Sequence, residues 1–195
     1  VGVMGKQEGI DYLLEAVNYI VHTLKRTDIQ FGLVGGGTEI ENLKHMADQL
    51  GVREYVTFTG RVPDQALLEM LNTADICVNP DIANEMNDKS TMNKIMEYMA
   101  LGKPIVQFDL TEGKVSAQGA SLYAEKNNAT DLAEKIVYLL SNPAVMKEMS
   151  EIGKYRVINE LEWQHEEPKL LAAYAAVKES DATPFKSTER QKSSL

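Results

Sequence analysis

Short apolar runs alternate with amphipathic helical stretches along most of this chain, and that alternation narrows its fold more than any other feature. Val1–Met4 reads as a buried strand ending in Gly5-Lys6-Gln7-Glu8-Gly9, after which Ile10, Leu13, Leu14, Val17, Ile20, Val21 and Leu24 recur at helical spacing. The unit then repeats. Ile29–Val34 reads as a strand, Gly35-Gly36-Gly37 as a turn, and Leu43, Met46, Ala47 and Leu50 as one face of a helix that Gly51 can end in a left-handed conformation. Val56–Thr59, Ile76–Asn79, Pro104–Phe108 and Ser121–Tyr123 read as further strands. Pro63 suits the first turn of the helix carrying Leu67, Leu68, Leu71 and Ala74, and Asn128 or Thr130 can cap a helix running through Leu140. Pro143 opens another helix with Met146, Met149 and Ile152 inward, and a last one follows Trp163 with Leu170, Leu171, Tyr174 and Val177 as its apolar side.

Strands and helices alternating at this spacing imply parallel strands joined by right-handed crossovers. The fold class expected is therefore α/β, a doubly wound, Rossmann-like parallel sheet of about six strands flanked by helices. Residues 1–177 would make one domain, with residues 178–195, polar and almost without apolar side chains, a disordered tail. In such sheets ligands bind outside the carboxyl ends of the strands, which singles out the loops at Gly5, Gly35, Gly60, Pro80 and Asp109. The segments Pro80–Lys89 and Asp109–Gly119 read as irregular loops.

Composition removes several function classes. A formal charge of −9 argues against an electrostatic grip on nucleic acid or anionic lipid. No run approaches the roughly 18 apolar residues of a membrane span. The single cysteine, Cys77, lies inside an apolar run and reads as a small buried hydrophobe in a reducing compartment. His22, His45 and His165 have no ligating partners at metal spacing, so no metal site is expected. The chain starts inside a strand-like run without an initiator Met, which reads as a cut within a longer protein.

Two stretches could receive a phosphate. Gly35-Gly36-Gly37-Thr38 joins a strand to a helix, but Ile40 stands where the dinucleotide pattern needs glycine, so a tight turn competes with a phosphate cradle. Asp88–Phe108, DKSTMNKIMEYMALGKPIVQF, is more informative. Ser90 or Thr91 can cap its helix, leaving free amides at a positive end with Lys89 and Lys94 nearby. At about 100° per residue, Ser90, Asn93, Lys94 and Glu97 share the face opposite Met92, Ile95, Met96 and Met99, with Glu97 two turns below those amides. The competing reading is an exposed helix face carrying a Lys94–Glu97 pair.

MEYMALGKPIV resembles the E-A-M-A-x-G-K-P-V-V signature of the C-terminal, donor-binding domain of GT-B glycosyltransferases of the retaining, family-four type. GVMGKQEGIDYLLEA, FGLVGGGTEIENLKHMADQLGV, VTFTGRVP and TADICVNP are similar to successive segments of that domain, in order, so the resemblance covers about residues 1–177. It is strongest to bacterial enzymes that assemble surface polysaccharides. The resemblance implies that Glu97 binds the donor ribose, that Ser90, Thr91, Met92 and Asn93 receive the diphosphate, and that Arg61 and Val62 approach the nucleobase. Gly5 and Lys6 belong to its opening loop. The sequence departs from the pattern at Lys89, where the family has its first glutamate, and at Val3 and Glu8, where it has Arg and Lys. Lys6, Lys89 and Lys94 would then supply the positive charge.

The function implied is that of a hexosyltransferase binding a UDP- or GDP-sugar and passing the sugar, with retention, to a glycan or lipid-linked acceptor, without cofactor or metal. The acceptor site would lie on an N-terminal domain absent from the chain. The whole enzyme would be cytoplasmic, and any attachment at the inner face of the membrane would come through that domain. A GT-B nucleotide-sugar epimerase and a non-catalytic nucleotide-sugar-binding module are the alternatives.

Overall fold

The structure, a computed structural model, describes residues 1–181, with side chains described through Lys178. Its strands are β1 (Phe31–Val34), β2 (Val56–Gly60), β3 (Cys77–Asn79), β4 (Ile105–Phe108) and β5 (Ser121–Ala124). They form two parallel sheets, β1-β2 and β3-β4-β5. Phe31 stands opposite Val56 in the first, and Ile105 lies between Cys77 and Ser121 in the second. Five strands in two sheets replace the expected six in one.

The missing strand is Val1–Met4. Its Gly2 N–H donates to Val34 O and its Met4 N–H to Gly36 O, both at 3.0 Å, so it lies against the end of β1. Among the described residues no backbone hydrogen bond ties it to β3. A cavity of about 20 Å³, bordered by Gly2, Val34, Val78 and Pro80, occupies part of that side. Both bonds run one way, and among the described residues no amide of β1 or of Gly35-Gly36-Gly37 donates back, so the ladder is incomplete and residues 1–4 form a seam beside β1 instead of a strand.

The helices follow the apolar spacing. α1 (Ile10–Asn18) runs on as a π-helical turn, Tyr19–Thr23, in which Leu24 N–H donates back to Tyr19 O. α2 (Ile40–Gln49) ends as expected: Gly51 has φ 67°, Val52 N–H bonds Ala47 O and Gly51 N–H bonds Asp48 O, which satisfies two carbonyls of the last turn. Pro63 stands one position before α3 (Asp64–Thr73) rather than inside its first turn. α4 (Glu85–Asp88), α5 (Asn93–Ala100) and α6 (Thr111–Ala117) follow. α4 and α6 correct the two segments read as irregular. The start of α6 is held by Asp88, whose carboxylate accepts from Thr111 N at 3.1 Å and Thr111 Oγ1 at 2.7 Å. A cap supplied from that far away in the chain leaves no local signal.

α7 (Ala129–Leu140) is capped by Asn128, whose side-chain oxygen accepts from the amides of Thr130 and Asp131, both at 3.1 Å. Asn128→Ala should therefore cost about 1 kcal/mol, or about 3 °C in a thermal melt. An unchanged melting temperature would show that water replaces the cap without loss. α8 (Pro143–Arg156) begins at Pro143, with Met149 buried and Met146 and Ile152 half-buried.

Strand β4 is buried at all four positions, as a strand covered by helices on both faces must be. Val106 and Phe108 join the main core with Leu14, Val17 and Ile20 from the α1 side and Leu132, Ile136 and Leu139 of α7. Tyr12 packs edge-on against Phe108, with ring centroids 5.7 Å apart. Ile105 and Gln107, on the other face of the pleat, look toward α5 and α6, and Gln107 Nε2 donates to Gly113 O at 3.4 Å.

Val1–Ile158 is one compact unit and Asn159 onward is a second. The second unit, by itself, holds α9 (Trp163–Asp181), a helix with Pro168 near its start and Leu170, Leu171, Tyr174 and Val177 exposed. The tail expected from residue 178 lies, beyond Asp181, outside the described residues.

Candidate functional site at the start of α5

Parallel strands put the loops after residues 1–4, β1, β2, β3 and β4 on one edge of the sheets. α5 begins at that edge. Its N-cap is Met92, an extended residue with no side-chain cap. The amides of Asn93 and Lys94 find no acceptor among the described residues, whereas Ile95 N–H bonds Met92 O at 3.0 Å. The helix start is thus open and positive, as an anion site requires.

This start corrects two expectations. Ser90 and Thr91 do not cap the helix: Ser90 Oγ donates to Met86 O at 2.6 Å, closing the end of α4, and Thr91 Oγ1 donates to Glu112 Oε1 at 2.8 Å. Both hydroxyls are taken by partners that short-range spacing does not reveal. Because α5 starts two residues later than a Ser90 cap implies, Glu97 lies about one turn, not two, from the open amides. Glu97 is exposed, as are Asn93 and Thr91, and Met92 is half-buried.

Lys94 turns away from Glu97. Its Nζ donates to Glu8 Oε2 at 2.6 Å and to Asp81 Oδ1 at 2.9 Å, binding the first loop, the loop after β3 and α5 to one ammonium. Burial pulls the Lys94 pKa down, but the charges of Asp81 and Glu8 more than offset this, and the net shift is upward. Burial pushes Asp81 above the ordinary carboxylate range, only partly opposed by Lys94. Among the described residues, Asp81 Oδ2 and both side-chain polar atoms of the buried Asn79 make no hydrogen bond of good geometry, although the Asn79 side chain is close enough to Asp81 to hold its carboxyl down slightly. Two bonds to one backbone carbonyl reinforce the same junction: Gln7 O accepts from Ile82 N and from the side-chain Nδ2 of Asn87.

The remaining candidates divide by charge state. Lys89 pairs with Glu85 at 2.8 Å, both exposed. Lys6 and Arg61 are exposed and have no ion-pair or hydrogen-bond partner among the described residues. Gly5 and Val62 are half-buried, beside Lys6 and Arg61 respectively. Of the cations named from sequence, Lys94 and Lys89 are already neutralised, and Lys6 and Arg61 are available. Asp81 and Asn79 were missed; a polar pair closing a buried strand was their only signal.

Gly35-Gly36-Gly37 is the tight turn rather than the cradle. A side chain on Gly35 would collide with Gly2 O and one on Gly37 with Met4 O, and the Glu39 amide already donates to Met4 O at 3.0 Å. Cys77 is buried, and burial pushes its thiol up to about 11. Among the described residues no cluster of His, Cys, Asp and Glu could hold a metal ion, and no helix is long and apolar enough to cross a membrane.

The arrangement is a Rossmann-like one, and known proteins place it further. HepE of Anabaena in complex with UDP superposes with a TM-score of 0.78 at 15% identity, over 90% of this chain and 47% of that one. The catalytic domain of cholesterol-α-glucosyltransferase from Helicobacter pylori superposes with a TM-score of 0.67 at 26% identity, over 82% of this chain and 94% of that one. An uncharacterised glycosyltransferase of Haemophilus influenzae is 29% identical over 163 residues, 82% of this chain and 43% of its own. The fold is the α/β, Rossmann-like GT-B type.

The profile of the family described as "Glycosyl transferases group 1" matches residues 1–142, and the chain belongs to that family. It spans less than half of the length of the curated relatives it matches, 25 to 44% of each.

Proposed function

We propose that this chain is the C-terminal, donor-binding half of a retaining glycosyltransferase. It takes a UDP- or GDP-sugar, with the diphosphate on the open amides of α5 and the ribose on Glu97, and Arg61 and Val62 border the base. The uncapped start of α5, with Glu97 one turn along, carries this reading. A neighbour of the same fold holding UDP supports it.

In the reaction, negative charge develops on the departing diphosphate, and donors fixed before the reaction stabilise it most effectively. The α5 amides and Lys6 are the groups free to do so. They can neutralise the leaving group without a metal or cofactor. The hexosyl group passes to a lipid-linked or glycan acceptor held by a domain outside this chain, in surface-polysaccharide assembly at the cytoplasmic face of the membrane. Residues 1–195 alone bind nucleotide without turnover.

Calorimetry with UDP, GDP and their sugars tests the donor site. Wild type should bind at least one of them, and Glu97→Ala should bind roughly 10-fold more weakly, the loss of charge-assisted hydrogen bonds to ribose hydroxyls. Absence of binding by wild type would remove the donor-site reading. One observation favours a second reading, a nucleotide-sugar-binding module without catalysis: Lys94 and Lys89 are both paired with carboxylates. Binding by the chain, with no transfer once the acceptor-binding domain is supplied, would select it.

A further inference from the structure

Lys94 is the second residue of α5, beside the open amides, yet its charge is already matched twice. Glu8 and Asp81 each bond its ammonium, so the three side chains together carry a surplus negative charge at a helix start otherwise fitted to an anion. The two carboxylates are not equivalent. The Asp81 side chain is 2% exposed and its second oxygen makes no hydrogen bond among the described residues, so without Lys94 it would be left as a buried charge without a counter-ion. The Glu8 side chain is 27% exposed and sits on the surface turn Lys6–Glu8, from which it can rotate into water. Asp81 is therefore the permanent counter-ion of Lys94, and Glu8 the one that can be exchanged.

We propose that Glu8 is a displaceable counter-ion that holds Lys94 until a nucleoside diphosphate takes its place, so that Glu8 sets how tightly the diphosphate binds. This rests on the donor-site reading above and adds an element of selectivity to it. A diphosphate brings enough charge to replace Glu8 on the ammonium, whereas a nucleoside without phosphate does not and meets the site with Glu8 in place. Glu8 thus opposes weak anions and yields to strong ones. Gly2 leaves room for the arrangement, since a Cβ there would stand 3.0 Å from Glu8 Oε2.

Glu8→Gln keeps the shape of the side chain and removes its charge. Titrated with UDP and, separately, with uridine, this variant should bind UDP roughly five-fold tighter than wild type and uridine with unchanged affinity. Glu8→Ala should shift UDP in the same direction, and both variants should melt within a few degrees of wild type. If wild type binds UDP and Glu8→Gln binds it equally or more weakly, the inference fails while the donor site stands. Equal tightening of uridine also overturns it, because the effect would then not concern phosphate. If neither protein binds UDP, the same titrations with GDP and guanosine decide the matter by the same criteria, and if neither nucleotide binds, the donor-site reading and this inference fall together.

Discussion

Lys94→Met should destabilise the protein by roughly 3 kcal/mol at neutral pH, because it leaves Asp81 charged, buried and without its partner. Methionine retains most of the lysine stem, so lost packing contributes little. The pH dependence identifies the cause. Asp81 already lies above its ordinary 3.8 through burial, and Lys94 is the largest influence opposing that rise, so its removal lifts the carboxyl further. A carboxyl with a raised folded pKa stabilises the fold fully below the unfolded value, and that stability is lost as pH rises through the folded pKa. The deficit of the variant should therefore be largest near pH 8 and shrink toward pH 4. Urea unfolding at both pH values measures it. A deficit that stays the same at both would mean that Asp81 is not its origin. Asp81→Asn combined with Lys94→Met should recover part of the loss, since an amide replaces the stranded charge.

The second large effect is expected at Gly35, where φ is 133° and a Cβ would collide with the carbonyl of Gly2. Gly35→Ala must displace residues 1–4 from β1 and strain its own backbone as well, a cost on the order of 3 kcal/mol. Gly36→Ala is the control one position away. There a Cβ meets only Arg61 Cγ at 4.0 Å, an ordinary contact, and the change should stay within about 1 kcal/mol. Chemical unfolding of the two variants side by side decides the matter. Equal stabilities would show that the seam formed by residues 1–4 yields at no cost.

Much of the fold was legible because its signals are local. Apolar spacing located the helices from Ile10, Ile40, Asp64, Asn93, Ala129 and Pro143, and Gly51 and Asn128 act at the ends where their chemistry suits them. What was not legible depends on distant partners. Residues 1–4 have the composition of a strand but receive no bond back from β1, which only the assembled chain determines. Ser90 and Thr91 have the chemistry of caps but bond Met86 O and Glu112 instead. The start of α6 depends on Asp88. At the site, the sequence indicated the helix and its acidic and basic residues, but periodicity assigned Lys94 to the wrong neighbours. Pairing with Glu8 or Asp81 needs loops that come together only in three dimensions.

The contact of Gly9 with Pro80 has a consequence for how ligand choice could change. A Cβ on Gly9 would strike Pro80 O, so this part of the rim, like Gly35 and Gly37, consists of backbone fitted against backbone. Such positions have no side chain to vary. Variation in what the edge accepts must be written at its open positions, among them Lys6, Arg61 and the exposed residues on the approach to α5. A library built to change what this edge accepts should randomise those positions and leave the three glycines fixed.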